Sequence, residues 1–245
     1  MNRLADDGLP RAAVPTAFDV EAPSYDRLVG ASPGYHEHLR ISVRRLGLPA
    51  DGAGLHLLDA GCGTGASTAA LLEVLPKARI TAFDGSAAML AEARRKTWPA
   101  TVHFEHSTVE QLSGTEVAGP FDGILAAYLV RNLAEPDVQL RKLVSLLRPG
   151  GRMAVHEYSV RDSRRARLVW NTVCASIIIP LGKVVTGDAT LHRHLRRSVL
   201  AFDGVSALEQ RLRHAGLVDV EAATMPGWQR GIVHTVAGTA SGETT

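Results

Sequence analysis

The residues best placed to do chemistry begin with Asp59, two positions before the first of three alternating glycines, Gly61, Gly63 and Gly65, with Thr64 between the last two. Alternating glycines permit positive φ and let backbone approach a ligand where a Cβ would intervene. Dinucleotide-binding turns are spaced G-x-G-x-x-G and hold a pyrophosphate over the next helix N-terminus. Here the spacing is G-x-G-x-G. The nearby aspartate would repel a pyrophosphate and would suit a ligand carrying an ammonium group. The bland alternative is a tight strand-to-helix turn with no ligand. A second acid, Asp84, lies about 20 residues further on, where a carboxylate can accept hydrogen bonds from a ribose diol. It could instead cap a helix starting near Ser86. The third group is the pair Arg131-Asn132. It could stabilise a developing anion, or Arg131 could form a structural salt bridge with Glu135 or Glu157.

These groups need a frame, and the apolar pattern supplies one. A short apolar run ends at Asp59, and Ala66 to Leu75 reads as a helix with Ala69, Leu72 and Leu75 near one face. Arg79 to Phe83 reads as a second strand, Thr101 to Glu105 as a third, and Phe121 to Tyr128 as a fourth. Glu135 to Leu147 is a predicted helix whose Val138, Leu140, Leu143, Val144 and Leu147 mark its buried side. Arg148-Pro149-Gly150-Gly151 stops it, and Met153 to Tyr158 is the fifth strand. Strands alternating with helices predict an α/β fold with a doubly wound, mostly parallel sheet. Ligands then sit beyond the carboxyl ends of the strands, near the switch in strand order. Asp59, Asp84, Thr108, Tyr128 and Glu157 all fall at such ends.

Before the first strand, residues 1–17 read as a loose tail and Phe18 to Leu28 precedes a helix over Tyr35 to Leu46. This N-terminal segment could cover a pocket or act as a packing arm. Residues 161–200 interrupt the alternation. Arg161, Arg164, Arg165 and Arg167 lead into an apolar run, followed by His192, Arg193, His194, Arg196 and Arg197. Asn171, Pro180 and Lys183 make that run a poor transmembrane span. It could wall a pocket for a greasy substrate, or dimerise. The basic residues could rest against anionic head groups, or form a solvated face. The His-x-His pair has no other clustered ligands and reads as surface or pocket lining, so no metal site is expected. Val205 to His214 is a helix ended by Gly216. Val218 to Thr224 and Gly231 to Gly238 are closing strands, before a polar tail from Thr239.

The 245 residues fit one large α/β domain with additions, divided as a tail and lid over 1–48, a main domain over 49–238 with its insertion at 161–200, and a flexible tail over 239–245. A hydrophobic share of 45% supports a real core. A formal charge of +2 is too small to argue for nucleic acid. Met1 to Pro23 has no apolar core of a secretion signal. With only two cysteines, Cys62 and Cys174, nothing suggests a disulfide framework, and a reducing cytoplasm fits.

"LLDAGCGTG" resembles motif I of class I S-adenosyl-L-methionine (SAM) methyltransferases. With "FDVEAPSYD", "FDGSAAML", "FDGILAAYLVRNL", "LRPGGRMAVHEYS" and "GDATLHRHLRRSVLAF", the chain is similar to the ubiquinone/menaquinone biosynthesis C-methyltransferase family over about residues 18–238. The resemblance implies a Rossmann-like, seven-stranded sheet with an antiparallel last strand, an N-terminal helical lid and a helical insertion after strand five. It implies that SAM touches Thr64, Asp84 with Gly85 and Met89 beside it, Thr108-Val109 and Ala127. Asp59, Gly61, Gly63 and Gly65 would shape the methionine end. Arg131 and Asn132 would face the acceptor, a prenylated quinol of the demethylmenaquinol type, and Tyr25 would come from the lid. The expected chemistry is methyl transfer to a ring carbon, with Arg131, oriented by Asn132, stabilising the phenolate. His106, His156, His192, His194, Glu157 or a bound water could serve as base. Several positions depart from the family pattern. Thr108 replaces Asp or Asn, Ala127 a serine, Leu39 a tryptophan, and His192 and His194 tyrosines. They leave open a methyltransferase for another small apolar or phenolic metabolite, or a SAM-binding protein without turnover. An NAD-binding oxidoreductase is disfavoured by the glycine spacing.

Overall fold

The computed structural model describes residues 14–30, 32–49, 51–112, 117–187 and 189–242. Its strands are β1 (His56–Ala60), β2 (Arg79–Asp84), β3 (Val102–His106), β4 (Phe121–Ala127), β5 (Leu147–Tyr158), β6 (Leu217–Thr224) and β7 (Val233–Ala240). They form one sheet of seven in the order β3-β2-β1-β4-β5-β7-β6. Only β7 runs against its neighbours, β5 and β6. The strand order reverses between β1 and β4, which opens a crevice beyond their carboxyl ends.

The helices, in chain order, are α1 (Val14–Gly30), α2 (Tyr35–Arg45), α3 (Ala66–Val74), α4 (Ala87–Arg94), α5 (Pro136–Val144), α6 (Arg164–Val173), α7 (Ile179–Thr186), α8 (Thr190–Ala201) and α9 (Val205–His214). Adjacent Leu57 and Leu58 are both fully buried, because helices cover both faces of the central strands. On one face, Leu39 and Val43 of α2 and Leu71 of α3 pack with Leu57, Ile80, Leu125 and Ala154. On the other, Leu140 and Leu143 of α5 and Leu208 and Leu212 of α9 pack with Leu58, Ile124, Met153 and Val155. The doubly wound sheet expected from the alternation is therefore present.

Several boundaries differ from the sequence pattern. Helix α5 ends at Val144, and Leu147 begins β5, so the Arg148-Pro149-Gly150-Gly151 turn belongs to the strand's leading end. Val138 is 50% exposed and Gln139 takes the buried position instead. The Gln139 side chain accepts the Glu135 N–H at 3.0 Å and donates to Glu110, so a polar side chain is accommodated there by hydrogen bonding. Strand β7 runs on to Ala240, held where Arg152 donates to the Thr239 hydroxyl at 2.6 Å, so Thr239 is not part of a frayed tail. Residues 243–245 lie outside the described residues. Helix α1 begins at Val14, inside the expected tail, and residues 1–13 lie outside the described residues.

The insertion holds the largest surprise. A π turn over Cys174–Ile178 joins α6 to α7, and Pro180 falls at the start of α7, where a missing N–H is tolerated. The apolar run is thus one continuous helical rod, despite Asn171, Pro180 and Lys183. Over Arg164–Val185 it is long and apolar enough, by length and composition, to cross a membrane, with 17% of its apolar window buried. Ala166, Trp170 and Cys174 anchor it against Val160, Val199, Met225 and Ile232.

Candidate active site

Immediately after β1, the chain turns through Gly61, Gly63 and Gly65 at φ of 74°, 54° and 90°. Only glycine takes such angles without strain. A Cβ on Gly65 would also stand 2.7 Å from the Trp98 ring. The turn is pinned to β2 where the Gly61 and Cys62 N–H groups donate to the Phe83 carbonyl at 2.9 and 3.0 Å. Asp84, at the end of β2, accepts from the Gly63 N–H and the Ser86 N–H, both at 2.8 Å. The cap of α4 is Ser86, whose hydroxyl accepts from the Met89 N–H, so Asp84 does not cap that helix itself. Burial raises the Asp84 carboxyl above its ordinary range.

Asp59 is fully buried. Its Oδ2 accepts from Thr68 at 2.6 Å and Ser67 at 2.8 Å, which ties the strand end to α3. Its Oδ1 has no hydrogen-bond partner. Burial pushes the carboxyl up to about 7, against the pull of those hydroxyls.

A cavity of about 920 Å³ lies beyond the carboxyl ends of β1, β2, β3, β4 and β5. Gly61, Gly63, Thr64, Asp84, Gly85, Met89, Thr108, Val109 and Ala127 line it, and so do Tyr25, Arg131 and Asn132. Asp59 and Gly65 do not reach the wall. They lie behind it, the first beneath the turn and the second as cap of α3. Leu39 is buried in the α2–α3 core and supports the site only indirectly.

Helix α1 is fastened by two acids that sequence reading overlooked. Asp19 of α1 accepts from the Ser86 hydroxyl at 2.5 Å and the Ala88 N–H at 3.1 Å, at the N-terminus of α4. Asp26 accepts from the Thr64 hydroxyl at 2.5 Å and pairs with Lys96 at 2.6 Å. The spacing of 19 and 26 places both on one helical face, the signal that could have revealed them.

Arg131 is buried and ion-paired with Glu157 at 2.5 Å. Burial works against the charge on Arg131, and the Glu157 carboxylate more than restores it. Burial pushes the Glu157 carboxyl up against the pull of that arginine. Asn132 does not orient Arg131, contrary to expectation. The two side chains donate separately to the Tyr128 carbonyl, each at 3.2 Å, and Glu157 fixes the guanidinium. The salt bridge with Glu157 is thus real, and it still leaves the Arg131 Nε buried without a partner.

Around Arg131 stands an aromatic wall that spacing gave no hint of. Tyr35 stacks on Tyr128 at 5.8 Å, Tyr128 on Tyr158 at 4.9 Å, and Tyr158 leans on Trp170 at 4.7 Å. The Arg131 guanidinium lies 5.8 Å from the Tyr128 and Tyr158 centroids, within cation–π range. Burial raises the phenols of Tyr25, Tyr35 and Tyr128, and pushes Tyr158 to about 12, so they stand as neutral donors at neutral pH.

The histidines separate by place. His156 is held between Ser42 at 2.8 Å and the Tyr128 hydroxyl at 3.0 Å, and burial lowers it to about 3. His106 ends β3 and bonds the Gly85 carbonyl at 3.2 Å. Neither lines the cavity, whereas His192 and His194 do. His192 packs its ring on Gly182, where a Cβ would come within 2.4 Å. His194 has two ring nitrogens shut off from solvent and without hydrogen-bond partners. Burial, with help from Arg131, lowers its pKa and keeps the imidazole neutral.

Comparison with known proteins gives this geometry a setting. The chain is 30% identical over 210 residues to the demethylmenaquinone methyltransferase of Clavibacter sepedonicus, covering 85% of this chain and 83% of that protein. It is 30% identical over 199 residues to the protein of the same name from Thermus thermophilus, covering 81% and 90%. The N-methyltransferase NodS of Bradyrhizobium japonicum, solved with S-adenosyl-L-homocysteine, matches with a TM-score of 0.61 at 20% identity, over 92% of this chain and 97% of that one. The last is a likeness of fold alone. Residues 9–239 match a single family across nearly the whole length, and the chain belongs to that family, the ubiE/COQ5 methyltransferases.

Proposed function

We propose that this methyltransferase moves a methyl group from SAM to a ring carbon of a prenylated quinol of the demethylmenaquinol type. The carrying observation is one cavity lined both by the glycine turn and by Arg131 with Tyr35, Tyr128 and Tyr158. The naming of its relatives as demethylmenaquinone methyltransferases supports the same acceptor.

The residues fit SAM. From beneath the turn, the buried carboxylate of Asp59, with Oδ1 unpartnered, would favour an ammonium group in the cavity without touching it. Asp84 stands at the strand end suited to a ribose diol, and Gly85, Met89, Thr108 and Val109 continue the wall toward an adenine. Bound there, SAM supplies an electrophilic methyl group on a sulfonium. The chain's own task is alignment, for which well-oriented pairs reach effective molarities of roughly 10⁵ M or more.

A ring carbon becomes nucleophilic when a neighbouring hydroxyl loses its proton, and a free phenol has a pKa of about 10. Arg131 offers the buried charge that favours the phenolate, with its unpartnered Nε as donor. His194 is the group we assign as base. It is neutral, unpartnered and close enough to feel Arg131 electrostatically. The hydroxyl O–H bond breaks, the proton goes to a ring nitrogen, and the electron pair enters the ring. Over a turnover, one methyl replaces one ring proton, the donor leaves as its neutral thioether, and one proton reaches solvent.

The test is incubation with methyl-labelled SAM and a panel of demethylated quinols and phenolic metabolites. Label in a methylated quinol is expected. Label confined to other phenols would move the assignment to another small apolar acceptor. Thr108, His192 and His194, which depart from the family pattern, favour that second reading. Clear SAM binding with no labelled product would leave a binding protein.

A further inference from the structure

The rod made of α6, the π turn and α7 has apolar residues that the core leaves exposed, two of them at the rim of the cavity. Its apolar residues face outward: Leu168 is 68% exposed, Ile177 56%, Leu181 40% and Val184 83%. Ile177, Leu181 and Val184 follow at i, i+4 and i+7, so they share a face. Exposed Arg161, Arg164, Arg165 and Arg167 flank one end, and exposed Lys183 and Arg193 the other. From residue 163 to 187 there is no Asp or Glu.

We propose that this rod is a docking face for an anionic lipid bilayer, lying along the surface with its apolar stripe in the head-group boundary. An amphipathic helix with a basic flank takes that position. Crossing the bilayer is opposed by the fold itself. Ala166, Trp170 and Cys174 commit the opposite side of the rod to the core along its first half. A second copy of the chain fits the face less well than lipid does. Both ends of the rod are basic, so pairing rods in either direction brings like charges together, whereas anionic head groups complement both ends.

The face is also continuous with the cavity. Ile177, Leu181 and Trp228 line the cavity and are exposed by 56%, 40% and 40%, which marks an apolar stretch of its rim. A long-tailed acceptor could therefore enter from the bilayer with its tail still in lipid. This last point rests on the quinol reading; the docking itself does not.

The experiment is cosedimentation of the full chain with phosphatidylcholine vesicles, with and without phosphatidylglycerol, at low and high salt. Binding is expected to phosphatidylglycerol vesicles and to weaken at high salt. Arg165→Gln with Arg167→Gln should weaken it about 25-fold, at about fivefold per arginine. Leu168→Gln with Val184→Gln should weaken it at least about tenfold, while S-adenosylhomocysteine affinity stays at the wild-type value as proof of folding. A wild-type chain that stays in the supernatant overturns the proposal. So does light scattering that shows a dimer dissolved by the Leu168 and Val184 pair of changes, since the face would then be a self-interface. Vesicle binding without methylation of any quinol would sink the acceptor reading and leave the docking face standing.

Discussion

Arg131 holds two roles that a single substitution would confuse. Removing it leaves Glu157 buried without its partner, which costs about 3–5 kcal/mol of stability. Under the proposed mechanism it also removes the charge that would face the acceptor, worth about 10²–10³ in turnover by analogy with other preorganised donors. Arg131→Ala should therefore lower both kcat and Tm while SAM affinity stays near wild type. The double variant Arg131→Ala, Glu157→Gln should recover much of the Tm and none of the kcat. Recovery of both together would make the arginine purely structural. His194→Gln should lower kcat and remove the acidic limb of the pH–rate profile, with partial rescue by added imidazole; an unchanged profile would return the proton to water. Asp59 allows a test without turnover. Its carboxyl titrates at about 7 when folded, against an ordinary value near 3.8. Between those values the folded chain keeps a proton that the unfolded chain has lost, so stability falls as pH rises, by up to about 1.4 kcal/mol per pH unit. Above about 7 that loss is complete. Asp59→Asn should thus raise the Tm of the ligand-free protein at pH above 7 and leave it little changed in the most acidic part of the range, while weakening S-adenosylhomocysteine. A variant no more stable than wild type above pH 7 would mean that Oδ1 is not the strained group.

At the scale of elements, helix α1, expected to act as a lid, is the part whose attachment can be tuned without touching the core. Helix α1 rests on Asp19 at the start of α4 and on Asp26 at Thr64 and Lys96. The exposed Asp26–Lys96 ion pair contributes about 0–1 kcal/mol, and the Asp19 hydrogen bonds to Ser86 and Ala88 add a contribution of the same order. Asp19→Ala with Asp26→Ala should speed S-adenosylhomocysteine release in stopped-flow measurements and sensitise residues 14–30 to protease, with little change in global Tm. Unchanged release would assign those acids to packing alone. The elements show where the sequence spoke and where it stayed silent. β1, the glycine turn and α3 were legible because glycine spacing and an apolar run both constrain the backbone. Helix α5 was read too long and Val138 was placed inside, because an apolar side chain outranked Gln139 in the pattern, although the glutamine has partners for every burial it suffers. The run at 164–185 was read as a poor membrane span because Asn171, Pro180 and Lys183 interrupt its apolar residues, whereas the π turn places Pro180 at the start of α7 and keeps the helix long and apolar enough by length and composition. The aromatic wall of Tyr35, Tyr128 and Tyr158 joins residues from three elements, and nothing local in the chain announces such a meeting.

For the whole molecule, the strand order does what no single segment could. It brings the ends of five parallel strands to one crevice, so that residues as far apart as Thr64 and Tyr158 line a single cavity. The sequence named the part of the wall around Gly61, Asp84, Thr108 and Ala127 because those residues sit at or just beyond strand ends, and strand ends are readable; the part from α1, α2 and the rod it left largely unnamed. It misassigned depth, since Asp59 and Gly65 lie behind the wall rather than in it. A cavity of about 920 Å³ stands at the upper end of the usual size of ligand sites, so it has room for an acceptor beside a donor. That arrangement predicts that the donor half alone stabilises the whole chain, because its walls belong to the central strands and to the lid. S-adenosylhomocysteine at a hundred times its Kd should add about 2.7 kcal/mol, which for a chain of this size raises Tm by about 5–10 °C. NAD at the same concentration should leave Tm unchanged, because Asp59 and the short glycine spacing disfavour a pyrophosphate. A shift with NAD and none with S-adenosylhomocysteine would place a different nucleotide at the turn and remove the donor on which the methyl-transfer reading stands.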